Sequence, residues 1–245
     1  VTAPLPRLTG ADLAAAGRRL PETFELALAT TAPAAADRGR AGAPLSVVRC
    51  ESVLRLLPGR RLVARVRVNG IERVLKLFFG RGAGRYFRRE WRGCEALRAA
   101  GVATPALAGA VVGDAGARGL LFDWIADAGA LDPFDQDGVE AAAAELARLH
   151  AGGWRHADLH LDNFLLAPGL GRPHLIDGDG VRPGDAGGVH RDAAIEDLAT
   201  FCAQRPPRAD DGLEGIWRAY AAARGWPGHD GAAAGILADA LGRQR

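Results

Sequence analysis

His156-Ala157-Asp158-Leu159-His160-Leu161-Asp162-Asn163 sets an aspartate five residues before an asparagine, in a polar segment that follows a helical pattern and precedes a short apolar strand, Phe164–Leu166. Fourteen residues after Asn163, Pro173-His174-Leu175-Ile176-Asp177-Gly178-Asp179-Gly180 delivers a second aspartate from an apolar strand into a glycine turn. A carboxylate in the first loop can orient or accept the proton of an attacking hydroxyl, and a neutral oxygen ligand with a second carboxylate can hold a hard divalent cation. Asp158 fits the first role, and Asn163 and Asp177 fit the second. Asp179 either assists a second cation or caps its turn, and capping is the preferred role. The same run invites comparison with a calcium loop, but Val181 and Gly188 stand at the fifth and twelfth positions, where that loop needs ligands. Either segment alone would read as a polar turn; their order and separation give them meaning.

Upstream, arginine occurs 30 times and lysine once, at Lys76. A chain that uses arginine wherever a positive charge suffices keeps a lysine where a compact ammonium is required. Lys76 lies in Val74-Leu75-Lys76-Leu77-Phe78-Phe79, an apolar strand in which an unpartnered ammonium would be costly to bury. The following helix, expected over residues 86–100 and stopped by Gly101, offers Glu90 and Glu95. At 100° per residue Glu90 shares a stripe with Phe87, Cys94 and Leu97, whereas Glu95 falls among Arg88, Arg92 and Arg98. Glu90 is therefore the expected partner of Lys76. Lysine and glutamate, then an Asp…Asn loop, then a strand-borne aspartate, is the order of groups in protein-kinase-like phosphotransferases. In that scheme the cation is Mg²⁺ and the nucleotide is ATP. His190-Arg191-Asp192 imitates a catalytic triplet but comes after Asp177 and has Asp197 five residues on, so order and spacing exclude it. Asp192 is expected to cap a helix there, and His150 to be a packed, hydrogen-bonded histidine.

A phosphate-covering turn belongs between the first two strands, where only Leu57-Pro58-Gly59-Arg60-Arg61 is available. One glycine is a meagre phosphate loop, so backbone N–H groups around Gly59 together with Arg60 or Arg61 are the candidates. Adenine is expected at the backbone of Phe122-Asp123-Trp124, with Asp123 and Trp124 as the nucleotide-side residues.

The 245 residues are enough for a substantial core in two lobes. Residues 1–45, rich in Ala, Pro, Thr and Gly, are expected to form an extension outside the main core. Residues 46–122 read as a small, mainly β lobe with one helix, whose hairpin signal is Asn69-Gly70. Residues 123–245 read as a mainly helical lobe, beginning with a helix that carries Val139, Ala142, Leu146 and Leu149 on one face. The fold class is thus α+β, a bilobal protein-kinase-like fold. Residues 1–122 carry 20 basic and 9 acidic side chains and residues 123–245 carry 11 and 20, so the net charge of +2 conceals a basic half and an acidic half. That suits a polyanion held by one and metal ions by the other, or two halves that simply attract. Cys50, Cys94 and Cys202 lack paired spacing and are expected as buried free thiols. There is no apolar run of spanning length and no secretory signal, so the expectation is a cytoplasmic protein, with no sign of a nucleic-acid partner.

From about Arg49 to Asp179 the sequence resembles the lipopolysaccharide core kinases, the Kdo kinase and WaaP-like family. The elements are Leu54-Arg55-Leu56-Leu57-Pro58-Gly59-Arg60-Arg61, the Lys76 strand, Arg89-Glu90-Trp91 leading to Gly101-Val102-Ala103-Thr104-Pro105, His156-Ala157-Asp158-Leu159-His160, and Leu175-Ile176-Asp177. The resemblance implies ATP-dependent phosphorylation of a Kdo or heptose hydroxyl in the lipopolysaccharide inner core, at the cytoplasmic face of the inner membrane. His160, two residues beyond the base, would support the transferred phosphate. Gly178 and the short Gly-rich segment after Val181 depart from the family and leave the acceptor pocket open. Arg81, Arg85, Arg88, Arg89 and Arg92 form a basic run that either meets an anionic membrane surface or is a solvated helix face. Two rival readings are a small-molecule kinase of the aminoglycoside or choline type and a nucleotide-binding pseudokinase. Arg60-Arg61 and Glu90-Trp91 favour the core kinase over the first, and the complete set of catalytic groups counts against the second.

Overall fold

The structure, a computed structural model, describes residues 4–17, 19–40, 45–184, 188–206, 212–226 and 231–244. The chain divides into two compact units, one of Val1–Trp91 with Pro105–Trp124 and one of Arg92–Thr104 with Ile125–Arg245.

In the first unit β1 (Arg7–Leu8), α1 (Gly10–Ala15), β2 (Phe24–Thr31) and α2 (Pro33–Asp37) precede three antiparallel strands, β3 (Leu45–Leu57), β4 (Arg61–Val68) and β5 (Ile71–Phe78). Helix α3 (Ala83–Ala99) follows, then β6 (Leu107–Val112) and β7 (Arg118–Asp123). The strands run β3-β4-β5-β7-β6, and β2 pairs with both β3 and β6, which closes the sheet into a six-stranded antiparallel barrel. Closure removes the two long edges that an open five-stranded sheet would present. Period-two alternation fills the interior: Leu62, Ala64 and Val66 of β4, Leu75 and Leu77 of β5 and Phe24, Leu26 and Leu28 of β2 are buried in one cluster. Asn69 and Gly70, with φ of 50° and 80°, make the two-residue hairpin turn that their sequence announced.

The expected extension outside the core is corrected by this closure. Among residues 1–45, β2 is a barrel strand, and Leu13 and Phe24 are fully buried in the barrel core. The alternation Phe24-Glu25-Leu26-Ala27-Leu28 was the available signal, obscured by the Ala- and Pro-rich sequence on either side. Phe24→Ala is therefore expected to destabilise the protein by about 3–5 kcal/mol, the range for a large aromatic lost from a packed core. Chemical unfolding measures it; a loss below about 1 kcal/mol would show that β2 is peripheral after all.

The second unit comprises the C-terminal part of α3, β8 (Gly129–Ala130), α4 (Gln136–Ala151), β9 (Trp154–His156), β10 (Phe164–Leu166), β11 (His174–Leu175), β12 (Val181–Pro183), α5 (Arg191–Cys202), α6 (Leu213–Arg224) and α7 (Gly231–Gln244). The four later helices enclose one apolar core that also receives Ala96, Leu97 and Val102. Those residues explain why 92–104 belong with the helical unit rather than with the 46–122 lobe in which the sequence placed them. Two hydrogen bonds fasten the same stretch: Ala103 N–H donates to Glu145 Oε2 at 2.8 Å, and Leu175 N–H donates to the Ala103 carbonyl at 2.8 Å. The N-cap of α5 is His190, with Asp192 in the first turn, so Asp192 favours the helix through its charge rather than by capping. Cys50, Cys94 and Cys202 are buried, and burial raises the Cys50 thiol to about 11. No helix among the described residues is long and apolar enough to cross a membrane.

Candidate active site

The loop between β9 and β10 alternates apolar anchors with polar groups. Leu159, Leu161 and Phe164 are buried in the helical core, whereas Asp158, His160 and Asp162 are exposed. The anchors hold the backbone, and the alternation turns the polar side chains outward. The Asp158 carbonyl accepts from His160 N–H at 3.0 Å and from Asn163 Nδ2 at 2.7 Å. That second bond uses the amide nitrogen of Asn163 and leaves its side-chain oxygen as the ligand-type atom. His160 Nε2 lies 3.0 Å from Asp158 Oδ1, so the histidine expected to support phosphate is set against the expected base.

The β10–β11 ladder pairs Phe164 with Leu175 and extends to a hydrogen bond from Ile176 N–H to the Asn163 carbonyl, at 2.8 Å. Asp177 therefore emerges beside Asn163. His156, buried, ties the two segments: its Nδ1 accepts from Asp158 N–H at 3.3 Å and its Nε2–H donates to the Asp177 carbonyl at 3.0 Å, which defines its tautomer. Asp177 adopts the left-handed conformation, with φ of 71° and ψ of 64°, a state that costs a non-glycine residue about 1 kcal/mol. The flanking β9–β12 ladder and the bond from Ala157 N–H to the Gly180 carbonyl hold it there. Asp179 lies in the short 3-10 turn after Asp177, and its carbonyl accepts from Arg182 at 2.6 Å.

Packing demands glycine at two positions around this turn, Gly180 within it and Gly93 of α3 against it. A Cβ on Gly180 would lie 2.3 Å from the His156 ring. Gly178 backs onto Gly93 of α3, where an added Cβ would stand 1.8 Å from the Gly178 carbonyl oxygen. Helix backbone and turn backbone touch there, which accounts for the glycine at position 93.

In the first unit Lys76 Nζ pairs with Glu90 Oε1 at 2.7 Å, with side-chain exposures of 12% and 2%. Lys76 stands opposite Val63 and Leu120 in the ladders, on the outer wall of the barrel, while Leu75 and Leu77 point into it. Glu90 comes from the buried stripe of α3, and Glu95 is exposed, as the helical periodicity separated them. The hairpin tip is less like its expected form. Gly59 takes a φ of 65° and its carbonyl abuts Gly80, while the Arg60 guanidinium hydrogen-bonds the Tyr86 hydroxyl and lies 4.4 Å from the ring centroid. Hydrogen bonds from Arg60 and Arg85 hold the Tyr86 phenol below its ordinary pKa. Arg60 is thus engaged with α3, and Arg61 begins β4 directly after the turn. Asp123 pairs with Arg73 at 3.0 Å, and Trp124 lies under the Arg65 guanidinium at 4.8 Å. Their side chains have arginine partners, so any adenine contact there falls to backbone groups.

Hard oxygen donors from Asn163 and Asp177 suit Mg²⁺, which takes one or two protein ligands with substrate phosphates and water rather than a closed protein cage. No three of His, Cys, Asp and Glu converge as a metal cage among the described residues.

Three supporting groups escaped the sequence reading. Asp197 of α5 binds Arg155 through both carboxylate oxygens and lies 3.3 Å from His150 Nε2. Burial opposes ionisation of Asp197, but the hydrogen bonds from Arg155 and His150 outweigh it and hold the carboxyl below its usual pKa. His150 is the packed histidine expected, fully buried, with the Tyr220 hydroxyl 2.7 Å from Nδ1, and burial lowers its pKa. Glu145, 1% exposed, receives Arg172, Arg148 and the Ala103 N–H, and so anchors the β10–β11 hairpin to α4. A carboxylate on the stripe with Ala142, Leu146 and Leu149 was its signal, by the logic that found Glu90. The third group, Gln204, grips the loop backbone itself.

No known family profile matches the chain, and no curated protein matches it in sequence. Among solved structures it is similar to WaaP in complex with acyl carrier protein, with 19% identity over 78% of this chain and 88% of that one and a TM-score of 0.51. Weaker similarities are to the PknI kinase domain of Mycobacterium tuberculosis, 22% identical over 79% of this chain and 95% of that one with a TM-score of 0.44, and to the BubR1 kinase domain, 17% identical over 72% and 61% with a TM-score of 0.45. At these identities the likeness is one of fold: the chain has an α+β, protein-kinase-like fold.

Proposed function

We propose that this protein is an ATP-dependent phosphotransferase that phosphorylates a sugar hydroxyl, Kdo or heptose, of the lipopolysaccharide inner core. The observation that carries the reading is the joint fixing of Asp158, Asn163 and Asp177 through His156 and the backbone bond from Ile176 to Asn163. A hydrogen-bonded frame of that kind positions a base and two oxygen ligands before substrate arrives. The buried Lys76–Glu90 pair supplies a fixed ammonium for the inner phosphates. The sugar acceptor is supported by the motif resemblance over Arg49–Asp179, with the fold likeness to WaaP consistent with it.

In this mechanism Asp158 orients the acceptor hydroxyl and takes its proton as the oxygen attacks the γ-phosphorus, and the bond to the β-phosphate bridging oxygen breaks. Asn163 and Asp177 would hold Mg²⁺, which when bound neutralises phosphate charge. His160 restrains the Asp158 carboxylate. Asp179 supports the turn that presents Asp177. The exposed Arg81, Arg85 and Arg88, with Arg92 beyond them, are the groups that would meet an anionic membrane surface.

The test is transfer of labelled γ-phosphate from Mg·ATP to dephosphorylated inner-core lipopolysaccharide, with aminoglycosides and choline as rival acceptors. Transfer to the core alone is the expected result. Transfer only to a rival would reassign the acceptor, and nucleotide binding without any transfer would defeat the enzymatic reading.

A further inference from the structure

Gln204 follows the last turn of α5, with Phe201 and Cys202 buried before it and Arg205 buried after it. Its side-chain amide closes on two peptide groups of the loop. Leu161 N–H donates to Gln204 Oε1 at 2.9 Å, and Gln204 Nε2 donates to the Leu159 carbonyl and, at 3.4 Å, to the Thr200 carbonyl. The residue between the two gripped peptides is His160, whose φ of −108° and ψ of 143° send its ring back to within 3.0 Å of Asp158.

Leu159 and Leu161 are each anchored in the helical core, so the loop has support without Gln204. The rotation of the two peptide planes on either side of His160 is set by hydrogen bonds rather than by the core: His160 N–H donates to the Asp158 carbonyl at 3.0 Å and Asn163 N–H to the His160 carbonyl at 2.9 Å on one edge of each plane, and Gln204 holds the opposite edge of both. Apolar anchors are non-directional, whereas a donor and an acceptor on one planar amide determine both planes at once. Glutamate lacks the donor, methionine lacks both groups, and asparagine is shorter by one methylene.

We propose that Gln204 is a positioning residue for the reaction proposed above, on which the kinetic part of this inference rests: it clamps the peptides flanking His160 so that the imidazole stays on the Asp158 carboxylate. The clamp acts through His160 and touches neither nucleotide nor acceptor.

Gln204→Met preserves shape and removes both hydrogen bonds; Gln204→Glu keeps the acceptor only. The first readout needs no turnover: histidine ring signals of the isotope-labelled protein, with those of His160 identified by their loss in His160→Ala. In Gln204→Met the His160 signals are expected to move or broaden while those of His150 and His156 stay, and Gln204→Glu should give a smaller displacement. The second readout is kinetic. Gln204→Met is expected to lower kcat roughly 10- to 100-fold with KM for ATP unchanged, as for a misplaced reacting group. In His160→Ala the same substitution should have little further effect, because the group it positions is gone. Unmoved His160 signals, or effects of the two substitutions that multiply in full, overturn the clamp. If the wild-type protein transfers no phosphate, the ring signals decide alone: moved signals uphold the clamp while the proposed reaction fails, and unmoved signals overturn both.

Discussion

Gly93→Ala is expected to reduce phosphotransfer by about 100-fold or more, the scale on which a displacement near 1 Å at a reacting centre acts. In an isolated helix the same change would be stabilising by about 1 kcal/mol, since glycine is the poorer helix former. Here the new methyl would lie 1.8 Å from the Gly178 carbonyl oxygen, 2.5 Å from its carbon and 2.7 Å from its Cα. All three are backbone atoms, so no flexible side chain can swing aside, and the turn itself must retreat. Asp177 precedes that turn in a left-handed conformation and has its carbonyl committed to His156 and to Gly180 N–H. Displacing Gly178 therefore moves the candidate metal ligand. Overpacking of this kind typically costs about 1–3 kcal/mol, which outweighs the helix gain. The measurements are thermal unfolding and kcat as a function of Mg²⁺, with far-UV circular dichroism to show that the helices persist. A variant as active as wild type would mean that the turn tolerates the shift and that its contact with α3 does not position Asp177.

Asp158→Ala carries the other large effect, a fall in turnover of roughly 10²- to 10⁴-fold, the usual contribution of a positioned acid or base. The fold should barely register it. The Asp158 side chain is 58% exposed, and the backbone of the residue is held by His156, His160 and Asn163 through its own N–H and carbonyl, none of which depends on the carboxylate. KM for ATP should stay close to wild type, because Lys76, Asn163 and Asp177 are untouched. Asp158→Asn, which keeps the shape and removes the proton acceptor, should fall nearly as far. Turnover within about threefold of wild type in either variant, set against the loss expected of a base, would remove Asp158 from that role.

The likeness of fold to known kinase structures and the motif resemblance carry different weight. At 19% identity the former speaks to architecture, whereas the order of Lys76, Glu90, Asp158, Asn163 and Asp177 speaks to chemistry. The site frame adds what neither contains. His156 links the two aspartate segments, and Asp197 locks Arg155 next to it, so the loop is supported from the β9–β12 ladder and from α5 at once.

By itself the sequence determined the class of fold, the hairpin at Asn69-Gly70, the separation of Glu90 from Glu95 and the identity of the polar groups in the two loops. Each of these is set by short-range periodicity or by a residue type suited to one role, and such signals survive without knowledge of distant contacts. The barrel closure by β2, the grip of Gln204, the Glu145–Arg172 anchor and the meeting of Gly93 with Gly178 belong to tertiary structure alone. They join residues 43, 27 and 85 positions apart or strands that are not neighbours in the chain. Only the packed chain brings such partners together. A mid-helix glycine and a buried-stripe glutamate hinted that a partner existed, but local sequence carries no record of which distant backbone it would be.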